Sequence, residues 1–234
     1  MAEEKSVELT VGGSPMRTLV YDLATKPKGG VVILHGGYGM EPGVKRMAKR
    51  LSLVQYAVVA PDLYHRLEDD ADGDVLARIA RLKWDDAKAD IIAAQDYLTK
   101  EMRVPEGRFA IVGFCMGGAL AWMAASQIPC KTVVVYYPHE MFSSFGEKGP
   151  LPFDTSSDVD VPILGHFGME DTNPSPADRK KLKAALSDKY PHQFCTYEGA
   201  GHGFVSANPE YHRQVPANTS IDRTVGWLDM HLRD

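Results

Sequence analysis

Short apolar runs alternate with amphipathic segments along almost the whole chain. A run such as 30–34 (GVVIL), with no polar side chain, is typical of a strand that is buried on both faces of a sheet. A segment such as 85–101, with apolar residues at every third or fourth position, predicts an amphipathic helix. The predicted strands span 7–11, 16–21, 30–34, 57–60, 109–112, 132–137, 163–167 and 193–197, and the predicted helices span 43–54, 85–101, 115–127, 177–189 and 220–232.

This order of elements predicts an α/β fold. The first two strands form a hairpin around the turn 12–15, and the later strands alternate with helices. Such alternation requires right-handed crossovers between parallel strands, so we expect a mostly parallel central sheet flanked by helices on both faces. No repeat or linker divides the sequence, and residues 1–234 are therefore predicted to form a single domain. Ligands of such sheets bind beyond the carboxyl ends of the strands.

Charge and cysteine content exclude several classes of protein. A formal net charge of -5 argues against nucleic acid as a partner, because phosphate binding needs a concentrated positive face. No apolar run is long enough to span a membrane, and the charged N-terminus does not resemble a secretory signal. The three cysteines have no metal-ligand spacing, and their odd number indicates reduced thiols in the cytoplasm.

The residues that follow the strand 109–112 contain the pattern Gly113-x-Cys115-x-Gly117, a nucleophile elbow with cysteine in place of serine. Small residues are needed there because a strand that turns sharply into a helix leaves no room for neighbouring side chains. The turn would place the sulfur at a helix N-terminus, where the helix dipole favours the reactive thiolate. The alternative is a small cysteine buried in a close-packed turn. Cys130 and Cys195 lack this setting and are predicted to be inert.

A thiol nucleophile needs a base, and the base needs a group that orients it. His202 lies between small residues directly after the last predicted strand, and Asp171 directly follows the strand before it. The order nucleophile, acid, histidine along the chain is the order found in α/β-hydrolases. Glu170 is the rival acid, and Asp62 is a weaker one. Of the other histidines, surface positions are predicted for His65, His139, His192, His212 and His231, a buried strand position for His166, and a loop position for His35.

The loop 34–39 (LHGGYG) follows the first core strand and is rich in glycine. Acyl transfer builds negative charge on the carbonyl oxygen, which backbone N–H groups must stabilise. We expect one donor to be the N–H of Met116 and the other to be the N–H of Gly37. The alternative, a phosphate-binding loop, is disfavoured because its glycine patterns are absent.

These segments resemble the dienelactone hydrolase (carboxymethylenebutenolidase) family of α/β-hydrolases. The matching segments are 61–64 (PDLY), 113–118 (GFCMGG), 168–171 (GMED) and 200–204 (AGHGF), in the family's order and spacing. The resemblance implies an eight-stranded type of α/β-hydrolase core, hydrolysis through a thioester acyl-enzyme, and no cofactor. It also implies catalytic roles for Cys115, Asp171 and His202, which match the family's triad positions.

The chain departs from the family pattern at two positions. The family carries a glutamate that helps to activate the cysteine where this chain has Gly36, and an arginine that holds the substrate carboxylate where it has Ser206. Activation would then rest on His202 and the helix dipole alone. A substrate carboxylate would need another cation, for which Arg78 and Arg81 are the candidates. The alternative for both arginines is a solvated helix position.

The segment 64–84 is polar and acidic, and we expect it to form a small cap whose Tyr64, Leu76 and Trp84 line the pocket. Its acidic residues Glu68, Asp69, Asp70, Asp72 and Asp74 are predicted to be solvated. The predicted substrate-binding residues are Tyr38, Tyr64, Arg81, Trp84 and Phe204. The sequence therefore predicts a cytoplasmic hydrolase of a small activated ester or lactone, monomeric or homodimeric, without metal or cofactor. The alternatives are a ligand-binding protein on the same scaffold and an acyltransferase.

Overall fold

The protein is described by a computed structural model that covers residues 3–67, 74–146 and 148–232. Its strands are β1 (Glu3–Val11), β2 (Ser14–Asp22), β3 (Gly29–Leu34), β4 (Tyr56–Pro61), β5 (Phe109–Phe114), β6 (Thr132–Tyr136), β7 (Ile163–Gly168) and β8 (Gln193–Tyr197). Its helices are α1 (Pro42–Leu53), α2 (Val75–Ala80), α3 (Trp84–Lys100), α4 (Met116–Ala124), α5 (Pro176–Ala185) and α6 (Gln214–His231), and a 3₁₀ helix spans Pro152–Asp158.

The strands form one eight-stranded sheet in the order β1-β2-β4-β3-β5-β6-β7-β8. β2 pairs antiparallel with both β1 and β4, and the strands from β4 to β8 pair in parallel. The predicted mostly parallel sheet with helices on both faces is therefore confirmed. Because β3, β5, β6, β7 and β8 are parallel, the loops that follow them meet at one edge of the sheet.

The burial of each strand follows its place in the sheet. Every residue of β3 to β7 is buried, whereas most of β1 is exposed at the edge. Two apolar cores lie on the two faces: one includes Met47 of α1 and Trp227 of α6, and the other includes Ile91 of α3 and Trp122 of α4. Within the described ranges, no helix combines the length and the apolar character needed to cross a bilayer.

Two helical segments were not predicted, and one helix begins earlier than expected. α2 begins after Asp74, whose carboxylate accepts the N–H groups of Leu76 and Ala77, so this acidic residue caps a helix. The 3₁₀ helix was also missed. α6 begins at Gln214 rather than at residue 220, and its early Pro216 is tolerated because the first turn of a helix has no N–H bonds to lose.

The predicted cap segment, 64–84, is described only in part. Glu68, Asp69, Asp70 and Asp72 lie outside the described residues. The described part of the segment includes α2, which packs over the glycine-rich loop after β3. A Cβ placed on Gly37 would lie only 2.4 Å from Cγ1 of Val75 and 3.0 Å from Cδ1 of Ile79.

Candidate active site

Cys115 lies at the sharp turn between β5 and α4. Its φ of 53° and ψ of -117° are strained for a residue with a side chain, and such strain is common at functional sites. The turn is possible because its neighbours are glycines. A Cβ on Gly113 would lie 2.0 Å from the carbonyl oxygen of Gly117, and a Cβ on Gly117 would lie 2.4 Å from that of His35. The half-buried Cys115 therefore stands beyond the carboxyl end of β5, at the first turn of α4.

Asp171 and His202 come from the loops after β7 and β8. His202 Nδ1 lies 3.0 Å from Oδ2 of Asp171, which is only 3% exposed, and the N–H of Asn173 donates to the other carboxylate oxygen at 2.9 Å. The two loops approach closely at Gly168, where a Cβ would lie 2.3 Å from the carbonyl oxygen of Ala200. The rival acid Glu170 is exposed, and Asp62 lies beside His35 instead.

The free ring nitrogen of His202 faces the cysteine side of the site. Sγ of Cys115 and one ring nitrogen each of His139 and His202 lie within 4.8 Å of one another. Nε2 of His202 is buried and has no hydrogen-bond partner among the described residues. Burial alone would lower the pKa of His202. The hydrogen bond to Asp171 and the negative charge of a Cys115 thiolate outweigh burial and raise this pKa to about 10.

His139 is a site residue that the sequence analysis placed wrongly at the surface. Its side chain is only 18% exposed, and its ring centroid lies 5.4 Å from that of His202. His139 follows β6, and its backbone N–H donates to the carbonyl oxygen of Cys115 at 3.0 Å. Burial and the neighbouring His202 lower the pKa of His139, which favours the neutral ring. The available signal was its position just after a predicted strand.

The first residue of α4 and the glycine-rich loop after β3 both lie beside Cys115. Met116 is the first residue of α4, so its N–H has no carbonyl acceptor within the helix. A Cβ on Gly36 would lie 3.3 Å from Cβ of Cys115, which shows how close the loop comes. The fully buried His35 secures the loop, because its ring contacts the carbonyl oxygen of Gly36 at 2.8 Å and accepts the N–H of Leu63 at 3.0 Å.

A cavity of about 220 Å³ opens at this site. It is lined by Gly36, Gly37, Tyr38, Glu41, Phe114, Cys115, Tyr137, His202, Gly203, Ser206 and Tyr211. The sequence analysis did not identify Glu41, Tyr137 and Tyr211 as lining residues. It noted Ser206 only because the family has an arginine at that position. No local pattern marks them, because each reaches the cavity through the packing of a separate loop.

Of the predicted substrate-binding residues, only Tyr38 lines this cavity. The hydroxyl of Tyr64 donates to the carbonyl oxygen of Gly37 at 3.0 Å, so this ring supports the loop from behind. Phe204 is fully buried, and its ring packs on that of Tyr137, 5.3 Å between centroids. Arg81 and Trp84 line a different cavity, beside Phe145, Lys148 and other residues. Leu76, predicted to line the pocket from the cap, is 62% exposed and is not among the cavity-lining residues.

Three comparisons with known proteins agree with this architecture. The model of the dienelactone hydrolase family matches residues 16–232. The carboxymethylenebutenolidase of Rhodococcus opacus is 26% identical over 229 residues, which cover 95% of this chain and 89% of that protein. A probable 2-oxo-3-(5-oxofuran-2-ylidene)propanoate lactonase of a Bradyrhizobium species is 28% identical over 231 residues, which cover 95% and 92% of the two chains.

The solved structures that resemble the chain share its fold at low sequence identity. The dienelactone hydrolase of Anabaena variabilis superposes with a TM-score of 0.78 at 19% identity, covering 99% of both chains. A dienelactone hydrolase-like promiscuous phosphotriesterase from metagenomic libraries superposes with a TM-score of 0.80 at 18% identity, covering 98% of both chains.

Proposed function

Because the chain belongs to the dienelactone hydrolase family, we propose that it hydrolyses a small activated ester or lactone through an acyl-enzyme on Cys115. The observation that carries this proposal is the approach of three loops: Sγ of Cys115 lies within 4.8 Å of a ring nitrogen of His202, whose Nδ1 contacts Asp171. The names of the two curated relatives, a carboxymethylenebutenolidase and a lactonase, support a lactone among the substrates.

The first half of the proposed reaction forms a thioester. The Cys115 thiolate attacks the carbonyl carbon, and the resulting oxyanion accepts hydrogen bonds from the N–H groups of Met116 and Gly37. His202, held by Asp171, then donates the proton on Nε2 to the leaving oxygen as the carbon–oxygen bond breaks. In a lactone, this oxygen stays attached to the acyl group.

The second half returns the enzyme to its starting state. His202, now neutral, takes a proton from a water molecule whose oxygen attacks the thioester carbon. The carbon–sulfur bond breaks, the carboxylic acid leaves, and the thiolate again faces a protonated His202. A raised pKa of His202 suits this cycle, because the imidazolium holds the proton that the leaving oxygen needs.

The proposal is tested with 4-nitrophenyl acetate and an enol lactone. We expect the wild-type protein to turn both over, and Cys115→Ala and His202→Ala to lower kcat/KM by about 10³-fold or more. Cys130→Ser, which removes a thiol away from the cavity, is the matched control and should keep wild-type rates. Circular dichroism of each variant checks that it is folded.

Mass spectrometry of the acid-quenched enzyme locates the intermediate. An acyl adduct on the peptide that contains Cys115, absent from Cys115→Ala, is expected. Turnover by Cys115→Ala at the wild-type rate, or an adduct on Cys130 or Cys195 instead, would contradict the proposal.

We further propose that the protein acts in the cytoplasm as a monomer or homodimer. The support is that Cys115, Cys130 and Cys195 are free thiols, as is usual for reducing compartments.

A further inference from the structure

The cavity at Cys115 contains one carboxylate that the proposed mechanism does not use. Glu41 lines the cavity together with His202 and Ser206. The described lining residues include no lysine or arginine. Apart from the proposed catalytic residues, Glu41 is therefore the one lining residue with a charged side chain. A substrate in this cavity therefore meets a negative charge.

Glu41 is held in place by the packing of α1 on a distant loop. The Ser206 hydroxyl donates to Oε2 of Glu41 at 2.7 Å. The start of α1 lies against the same loop, since a Cβ on Gly43 would come within 2.8 Å of the carbonyl oxygen of Val205. Glu41 is half-buried, so water screens its charge less than that of an exposed glutamate.

The two arginines that the sequence offered as partners of a substrate carboxylate, Arg78 and Arg81, do not line this cavity. The guanidinium of Arg78 stacks on the ring of Tyr64, 5.1 Å from its centroid, and Arg81 lines a different cavity. The His202 imidazolium is already paired with the Asp171 carboxylate at 3.0 Å. Burial raises the pKa of Tyr38 at the cavity, and Glu41 is the smallest of the causes that add to this rise.

We propose that Glu41, held by Ser206, makes this cavity select uncharged or cationic acyl groups and reject acyl groups that carry a carboxylate. As a statement about substrate selectivity, this inference rests on the proposed function. The charge of the cavity, however, can be measured without any turnover. Like charges brought together in a partly dehydrated site repel strongly, whereas a neutral group avoids this cost.

The first test uses two alkylating reagents of nearly equal size that differ in charge. Iodoacetamide is neutral and iodoacetate is anionic, and each loses iodide to a thiolate in the same substitution. The ratio of their rates at Cys115, measured by peptide mass spectrometry and divided by the ratio for glutathione, reports the charge of the cavity. We expect this normalised ratio to favour iodoacetamide by about tenfold.

Glu41→Gln should then lower the normalised ratio about threefold or more, because it removes the charge and keeps an oxygen that can accept from Ser206. Glu8→Gln removes the same charge from an exposed position on β1 and is the matched control, which should keep the wild-type ratio. A wild-type preference for iodoacetate would mean that the His202 imidazolium dominates the cavity and would overturn the proposal. An unchanged ratio in Glu41→Gln would also overturn it.

The second test uses esters with a common leaving group: 4-nitrophenyl hexanoate, the 4-nitrophenyl monoester of adipic acid, and 4-nitrophenyl 6-(trimethylammonio)hexanoate. We expect kcat/KM of the wild-type protein to be at least about tenfold lower for the anionic ester than for the neutral one, and not to be lowered by the cationic group. In Glu41→Gln, the ratio of kcat/KM for the neutral ester to kcat/KM for the anionic ester should decrease, whereas Glu8→Gln should keep it.

Lack of turnover of every ester would contradict the proposed function alone, because the alkylation ratio would still decide the charge of the cavity. Equal turnover of the three esters would overturn the selectivity.

Discussion

Each residue proposed to carry the chemistry is held by a contact to a different part of the chain. Cys115 is set by the glycines around it, whereas His202 is set by Asp171, which precedes it by a whole helix and strand. Asp171 is in turn fixed by the N–H of Asn173. In the proposed mechanism, the aspartate holds the imidazole in one orientation and stabilises its charged form.

Asp171→Asn tests this role, with Glu170→Gln as its neighbour control. The asparagine would fit the space but remove the negative charge that raises the pKa of His202, so we expect kcat/KM for 4-nitrophenyl acetate to fall by about 10²- to 10⁴-fold. Glu170 is exposed, and its glutamine variant should lie within about twofold of the wild type, as expected for a surface substitution. If the two variants lost activity equally, the assignment of the acid to Asp171 would be wrong.

Among the elements, the turn from β5 into α4 has the least tolerance for change. Gly113 and Gly117 lie so close together that a methyl group on Gly113 would overlap the backbone of the other glycine. The contact is with backbone atoms, so no side-chain rotation relieves it. The strained backbone of Cys115 depends on this close packing of a strand on the helix that follows it.

Gly113→Ala should therefore lower the free energy of unfolding by about 2–3 kcal/mol, as overpacking of a tight interior does. Gly226→Ala in α6 is the matched substitution, because its new methyl group would meet no atom within 4 Å on an exposed helix position. It should raise the stability by about 0.5–1 kcal/mol. Urea unfolding measures both, and equal effects of the two variants would contradict the packing argument.

On the scale of the whole molecule, the parallel sheet is stabilised by apolar cores on both faces that also enclose polar groups. His166 of β7 is fully buried, where its ring contacts the hydroxyls of Tyr197 at 2.8 Å and Thr224 at 3.1 Å. Burial, and to a smaller extent Arg223, lower the pKa of His166 to about 3. The ring is thus neutral in the folded protein across the physiological range.

This buried histidine predicts a loss of stability in acid. The unfolded chain binds a proton at this histidine below about pH 6.5, whereas the folded chain does so only near pH 3, so stability falls as the pH decreases between these values. The contribution reaches at most about 1.4 kcal/mol per pH unit. His166→Gln, which keeps polar atoms for both hydroxyls, should show a shallower decline of the urea midpoint between pH 6.5 and 4.5. Parallel curves for the two proteins would contradict the prediction.

Periodicity and local sterics determined much of this protein from the sequence. Apolar runs such as 30–34 predict buried strands, because a strand that is covered on both faces buries the side chains on both of its sides. The glycines around Cys115 identify the sharp turn, because the constraint lies between residues a few positions apart. His202 and Asp171 could be named because each directly follows a strand, and the ends of parallel strands meet at one edge.

Tertiary structure alone decided which side chains share the cavity. Glu41 and Ser206 are far apart in the sequence and meet because α1 packs on the loop after β8. His139 was predicted at the surface and lies instead beside His202, whereas Arg81 and Trp84 of the expected cap line a different cavity. Side-chain direction and contacts between loops depend on the packing of the complete fold, so they cannot be inferred from the sequence of one segment.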